Sequence, residues 1–196
     1  MKYRKLLQGA LVLGGVALSS MAAATPSGSM LANTCAGCHG THGNSHGPAT
    51  PTIAGISSEY FIEAMKTYRD GSRPSTIMTR IAKGYNDDEI KAMANYFAEQ
   101  TFVGQVQEHE AKLAKAGASM HDKFCEKCHA EGGRSADDDS GILMGQWKPY
   151  LHWTLEDFMS GNRDMPRKMK KQLEKVHKAY GDDGMSALLN YYASNK

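Results

Sequence analysis

All four cysteines of this 196-residue chain fall in two copies of one pattern, Cys35-Ala36-Gly37-Cys38-His39 and Cys125-Glu126-Lys127-Cys128-His129. A C-x-x-C-H run sets two thiols one helical turn apart, within reach of both vinyl groups of one porphyrin. The adjacent imidazole then approaches the iron from the same side, which is the pattern of covalent haem attachment. Two runs imply two covalently bound haem c groups, one on Cys35 and Cys38 and one on Cys125 and Cys128, with His39 and His129 as iron ligands. The chemistry of such centres is electron transfer.

Rival chemistries explain less. A structural zinc site draws its four ligands from halves about 12 to 20 residues apart, and these motifs are ninety apart. A thioredoxin-like pair needs a βαβ setting, and no alternating strand pattern surrounds either motif. Two disulfides would leave the histidine after each second cysteine without a reason.

The ligand opposite each histidine separates an electron carrier from a gas-binding or catalytic haem. Met78 stands 39 residues after His39, ahead of a terminal helix, where its thioether can close the site. Histidine with methionine gives a low-spin iron of raised potential. In the second half Met165 and Met169 lie four apart and share a helical face with Leu173 and Val176, so periodicity alone does not choose. Met78 is five residues beyond Arg73, while Met169 is six and Met165 two beyond Arg163, and Met169 is 40 residues after His129. That spacing favours Met169, with Met165 as the alternative.

An internal repeat must position these residues. Displacing the chain by ninety superposes both motifs, Ser29-Met30 on Ser119-Met120, Gly55 on Gly145, Tyr60 on Tyr150, Gly71 on Gly161 and Arg73 on Arg163. A displacement of ninety-five then superposes Tyr85 on Tyr180 and Asn95-Tyr96 on Asn190-Tyr191. The repeat predicts two tandem domains, 25–103 and 104–196, with a polar linker or helix start over 105–115. Each copy reads as all-α: a short helix into C-x-x-C-H, a Gly-rich loop, a helix at 59–68 or 149–159, and a terminal helix at 87–99 or 184–194. Domains this small bury a limited apolar core, so each is expected to wrap around its haem in the class I cytochrome c manner.

Lys2, Arg4 and Lys5, an apolar run over 6–18 and Ala22-Ala23-Ala24 together predict a secretory signal over 1–24, cleaved before Thr25. The run is shorter than the roughly 20 residues that span a bilayer, and no later segment is apolar enough, so a soluble periplasmic product without a membrane span is expected. Removing the signal leaves 20 Lys and Arg against 21 Asp and Glu, or −1 in place of +2. Nothing in that balance suggests nucleic-acid binding.

The order Cys-x-x-Cys-His-Gly, Pro51-Thr52-Ile53-Ala54-Gly55, Tyr60, Gly71-x-Arg73, Met78 and Asn95-Tyr96-Phe97 resembles the tandem dihaem cytochrome c family over nearly all the mature chain. Gly145-Gln146-Trp147, Pro149-Tyr150 and Met165-Pro166-x-x-Met169 make it similar to the cytochrome subunit of flavocytochrome c sulfide dehydrogenase. That resemblance implies docking onto a FAD-containing sulfide dehydrogenase subunit and delivery of its electrons to a soluble or membrane-associated acceptor. Two haems in series would receive the flavin's electron pair one at a time. No G-x-G-x-x-G follows a strand here, so any FAD belongs to the partner and the chain is no enzyme by itself. Class I cytochromes use the loop proline matching Pro51 to accept a hydrogen bond from the ligating histidine; the second copy has Gly141 there, which keeps a carbonyl but loosens the loop.

Other features are weaker signals. His42 and His46 are explained by a Gly-rich loop, and His109, His121, His152 and His177 become ligands only if the methionines fail. The 163–178 stretch holds seven basic residues against Asp164 and Glu174, with Lys168, Lys171, Lys175 and Lys178 on one face. It is either a solvated face or a steering surface for an acidic partner. Asp137-Asp138-Asp139 reads as an exposed loop. Two further classes stay open: a free dihaem carrier feeding a terminal oxidase, and a dihaem peroxidase-like enzyme, against which a methionine in both halves argues.

Overall fold

The computed structural model describes residues 26–136 and 140–194; the expected signal segment, Asp137–Asp139 and the last two residues lie outside them. The described residues form helices, turns and loops with no strand, as the sequence predicts. In order the helices are α1 (Gly28–Ala32), α2 (Ala36–His39), α3 (Ser58–Asp70), α4 (Met78–Ile81), α5 (Asp87–Ala98), α6 (Ala111–Phe124), α7 (Ala130–Gly133), α8 (Lys148–Ser160) and α9 (Arg167–Ala193), with short 3-10 turns between some of them.

Local chemistry sets the boundaries. Ser57 caps α3 by accepting from the Tyr60 N–H at 3.1 Å, and Gly71 ends it at φ 85°, a left-handed conformation suited to glycine. Asn86 and Glu89 close a reciprocal capping box on α5, each bond 2.9 Å long. Asp87, Asp88 and Glu89 place negative charge on its first turn, where the helix dipole favours it. Pro149 opens α8 and Gly161 closes it. At Gly181, φ 59° and ψ −149° interrupt α9, so its final segment corresponds to α5 as the repeat requires.

In each half the first helix crosses the terminal helix at a glycine. A Cβ on Gly28 would lie 2.4 Å from the Ala92 carbonyl oxygen, and one on Gly117 would lie 2.1 Å from that of Ala187. Beneath the crossings sit two apolar clusters. The first is built on Leu31, Phe61, Met65, Ile90, Met93 and Phe97, and the second on Met120, Met144, Leu151, Val176, Leu188 and Tyr192. Ile142, from the second copy, belongs to the first cluster. The 101–110 segment, without regular structure, lies along the second half, where Gln105 N–H donates to Gly145 O at 2.8 Å and Glu110 N–H to Asn190 Oδ1 at 2.9 Å.

Candidate haem centres and the surface between the halves

The two C-x-x-C-H runs enter their sites differently. His39 ends helix α2, whereas Cys125–His129 forms a turn in which the Cys128 and His129 N–H groups both bond Cys125 O, at 3.0 and 2.9 Å. No disulfide joins the four cysteines; Cys38 and Cys128 are exposed, Cys35 and Cys125 partly covered. Burial pushes the Cys35 and Cys125 thiols above their ordinary range.

His39 is buried, and its Nδ1–H donates to the Pro51 carbonyl at 2.8 Å. That bond fixes the tautomer and leaves Nε2 as the ring's ligand atom. Burial lowers the His39 pKa and the Pro51 bond partly opposes it; the net effect favours the neutral imidazole, the form able to ligate a metal. The proline position singled out in the sequence therefore has the contact expected of it in the first half.

Met78 is the first residue of α4 and packs against the first cluster together with Cys35. Met169 lies in the first turn of α9, and Met165 precedes its N-cap, Pro166. Met165 lines a cavity of about 490 Å³ with Phe158, Arg163 and Lys170. Both second-half methionines are partly covered.

The repeat pairs Tyr60/Tyr150 and Arg73/Arg163, read in the sequence only as matching positions, meet each other. Arg73 Nη2 donates to Tyr150 Oη at 3.2 Å, and the Tyr60 phenol lies in the field of both guanidiniums. Arg73 also stacks over Tyr68 at 4.6 Å, and Arg163 over Phe158 at 4.2 Å. Arg73 is 6% exposed, yet none of the ion pairs among the described residues involves either arginine. Burial raises the Tyr60 pKa, but Arg73 and Arg163 outweigh it and bring the phenol down to about 8. Burial also disfavours the Arg73 charge, and the phenols of Tyr150, Tyr60 and Tyr68 more than offset it. Two cations among phenols, neither of them paired with a carboxylate, suit an anionic group. Each haem carries two propionates, so the donor set fits that cofactor.

A second polar contact joins the halves. The Gln146 side chain, 3% exposed, accepts from Thr52 N–H at 3.0 Å and donates to Thr52 O at 2.9 Å. Trp147 Nε1–H donates to Ser45 O at 3.3 Å, with its ring against Gly47, where a Cβ would come within 2.1 Å. Gly141 also has a packing reason: a Cβ there would sit 3.2 Å from Tyr60 Cζ. Gln146→Ala leaves the buried Thr52 N–H and C=O without partners, at about 1–3 kcal/mol for each group. Calorimetry should show a lowered or split unfolding transition with haem content unchanged.

The remaining histidines have other duties. His42 Nδ1 meets Tyr96 Oη at 2.8 Å, His152 pairs with Glu156 at 3.2 Å, and His177 lies 3.8 Å from Asp182. His121 is fully buried between Tyr192 and Glu126. In the sequence His121 is only a spare iron ligand, and neither Glu126 nor Tyr192 is singled out beside it. Lys168, Lys171, Lys175 and Lys178 are all exposed. No group of three or more His, Cys, Asp or Glu among the described residues is placed to hold a metal ion, and no described helix is long and apolar enough to cross a membrane.

An all-α chain with two C-x-x-C-H runs, each backed by its own crossing of first and last helices, defines the class I cytochrome c fold in tandem. The family description "Cytochrome c" matches residues 27–101. Cytochrome c4 of Pseudomonas aeruginosa is 31% identical over 160 residues, covering 78% of this chain and 80% of that one. The cytochrome subunit of sulfide dehydrogenase from Chlorobaculum tepidum is 50% identical over 70 residues, 36% of this chain, and the match spans 63% of that relative's length. The thiosulfate dehydrogenase electron acceptor of Thiomonas intermedia is 25% identical over 155 residues, 74% of this chain and 70% of that one. The crystal structure of reduced recombinant cytochrome c4 from Pseudomonas stutzeri matches with a TM-score of 0.73 at 25% identity, covering 86% of this chain and 97% of that one. The chain belongs to the tandem dihaem class I cytochrome c family, and is an electron carrier that holds haem c covalently.

Proposed function

We propose that this chain is the dihaem electron-transfer subunit of a sulfide-oxidising flavocytochrome, taking electrons from a FAD-containing sulfide dehydrogenase subunit and passing them to a downstream acceptor. The 50% identity to a sulfide dehydrogenase cytochrome subunit carries this reading. In it, residues 1–24 direct export to the periplasm, and 25–103 and 104–196 are the two domains. Cys35 and Cys38 would hold one haem and Cys125 and Cys128 the other; His39 with Met78, and His129 with Met169, or alternatively Met165, would ligate the iron.

Bound at these positions, haem iron supplies a one-electron couple. The protein supplies orientation and charge. Pro51 O holds the His39 tautomer, Arg73 and Arg163 neutralise carboxylates brought between the halves, and Gln146 with Thr52 keeps the halves in register. The exposed lysine face of α9 offers an acidic partner a docking surface whose encounter rate falls as salt rises.

A free periplasmic dihaem carrier feeding a terminal oxidase is the second reading, favoured by the end-to-end likeness to cytochrome c4. Purification of the native protein at low salt, with haem and flavin quantified before and after anaerobic sulfide or thiosulfate, separates the two. A co-purifying flavoprotein and rapid haem reduction by sulfide are expected. Two haems alone, unreduced by sulfide, would establish the free carrier, and reduction only when thiosulfate dehydrogenase is added would name a different donor.

A further inference from the structure

We infer that His121, Glu126 and Tyr192 form a proton-binding site linked to the oxidation state of the second haem, with no counterpart at the first. The inference rests on Cys125–His129 carrying a haem. His121 is wholly buried under that motif: its carbonyl accepts from the Cys125 and Glu126 N–H groups at 2.8 and 2.9 Å. Its imidazole meets oxygen on both sides, with Nε2 2.7 Å from Glu126 Oε2 and Nδ1 3.0 Å from Tyr192 Oη. Glu126 lies inside the C-x-x-C run, and Cys125, a haem-attaching residue, packs against the cluster that contains Tyr192. The trio thus touches the motif at two of its five residues.

The same positions in the first half are apolar. Displacement by ninety turns His121 into Leu31 and Glu126 into Ala36, and displacement by ninety-five turns Tyr192 into Phe97. A buried imidazole costs free energy unless both nitrogens are satisfied, and a helix crossing needs none, as the first half demonstrates with leucine. The second half keeps three matched polar groups where packing alone asks for three apolar ones.

Donor and acceptor arithmetic gives the trio two states. With neutral His121, Nε2–H donates to Glu126 and Nδ1 accepts from the Tyr192 hydroxyl. With protonated His121, both nitrogens donate, and the Tyr192 hydroxyl accepts from Nδ1–H with its own hydrogen turned away from the ring. Glu126 stabilises the imidazolium; its own pKa is held down chiefly by the His121 bond and further by the Gly132 N–H at 3.1 Å. The Glu126 side chain is 41% exposed, which connects the buried ring to water.

Groups facing the ring come from every packed element. The motif turn provides Glu126. The terminal helix provides Tyr192 and Tyr191, whose ring centroid is 5.3 Å from that of His121. Gly133 of α7 approaches His121 Cε1, Glu131 and Gly132 bond Glu126 through their backbone, and Asp122 and Arg134 lie beside Tyr191. Glu126 is the carboxylate in hydrogen-bond contact with the ring.

The direction of coupling follows from charge. Removing one electron from the second centre adds one positive charge beside the motif, which disfavours the imidazolium. Each electron that leaves is accompanied by up to one proton released to water, so the potential of the second haem falls as pH rises across the step in which the trio loses that proton. A tenfold difference in proton affinity between the redox states spans about 59 mV for a one-electron couple.

The test is a spectroelectrochemical titration of both haems across pH in the holoprotein, with His121→Leu, Glu126→Gln and Tyr192→Phe, after haem content has been measured. Two haems per chain in every protein establish the underlying reading first; a wild-type chain with none on Cys125 and Cys128 would overturn that reading and this inference with it. We expect one wild-type potential to fall with pH, His121→Leu to flatten it, and Glu126→Gln to move the step to lower pH. Tyr192→Phe covers the case in which His121→Leu fails to load haem, and should alter the slope at unchanged fold. A slope unchanged in His121→Leu, or variants that change only the unfolding midpoint, would overturn the inference by giving the trio a purely structural role.

Discussion

Replacing Cys125 and Cys128 by alanine is expected to leave one covalent haem per chain in place of two, and replacing Cys35 and Cys38 to leave only the other. No other cysteine exists to substitute, and a thioether needs the thiol itself, so denaturing gels stained for haem and intact mass should show the loss as complete. The structural consequences should be unequal. Among the described residues each half buries eleven hydrophobic residues, but ten of the first half's join in one cluster, which also draws in Ile142, while seven of the second half's do, so the second half has the less connected interior once its haem is lost. Limited proteolysis should therefore cut the Cys125/Cys128 double variant readily between 111 and 193, and cut the Cys35/Cys38 variant more slowly within 28–98. Two haems retained in either variant would end the assignment of these motifs as attachment sites.

The all-α class was legible because it is written locally: helical periodicity, Ser57 and Asn86 as caps, Gly71 and Gly161 as stops, and a motif whose spacing is itself a statement about haem. The register of the repeat was legible for the same reason, down to the five extra residues before Tyr180, which fall ahead of the break in α9 at Gly181. What joins the halves was not. Gln146 pairs with Thr52 across 94 positions, and neither residue type signals a partner. Tyr60, Tyr150, Arg73 and Arg163 did carry a signal, identity in both copies, but identity reports that a position matters to each copy and not that the copies meet there. Gly141 reads in the sequence as a loosened loop, and nothing there shows that its lack of a side chain also makes room for Tyr60. His121 was read only as a spare ligand because burial of a lone histidine on a helix depends on what covers it. Its departure from Leu31 was visible in the repeat, and such breaks in symmetry are where the two halves acquire different properties.

Met78→Ala should convert the first centre from low-spin to high-spin and lower its potential, because loss of the thioether removes the ligand that favours the reduced iron. The change would be read as loss of half the weak thioether-to-iron absorption of the oxidised protein, while haem content stays at two because attachment runs through the cysteines. The second half poses the sharper question, since Met165 and Met169 are one helical turn apart in sequence but differ in setting. Met169 occupies the first turn of α9, as Met78 opens α4, while Met165 lies before the cap and lines the cavity beside Arg163. Equivalent placement at the start of a helix is what a repeated ligand requires, so Met169→Ala should abolish the remaining thioether signal and Met165→Ala should keep it. The reverse pattern would make Met165 the ligand and give the second half a loop-borne sulfur. An unchanged spectrum in both variants would remove methionine from the second centre altogether and turn the search to histidine.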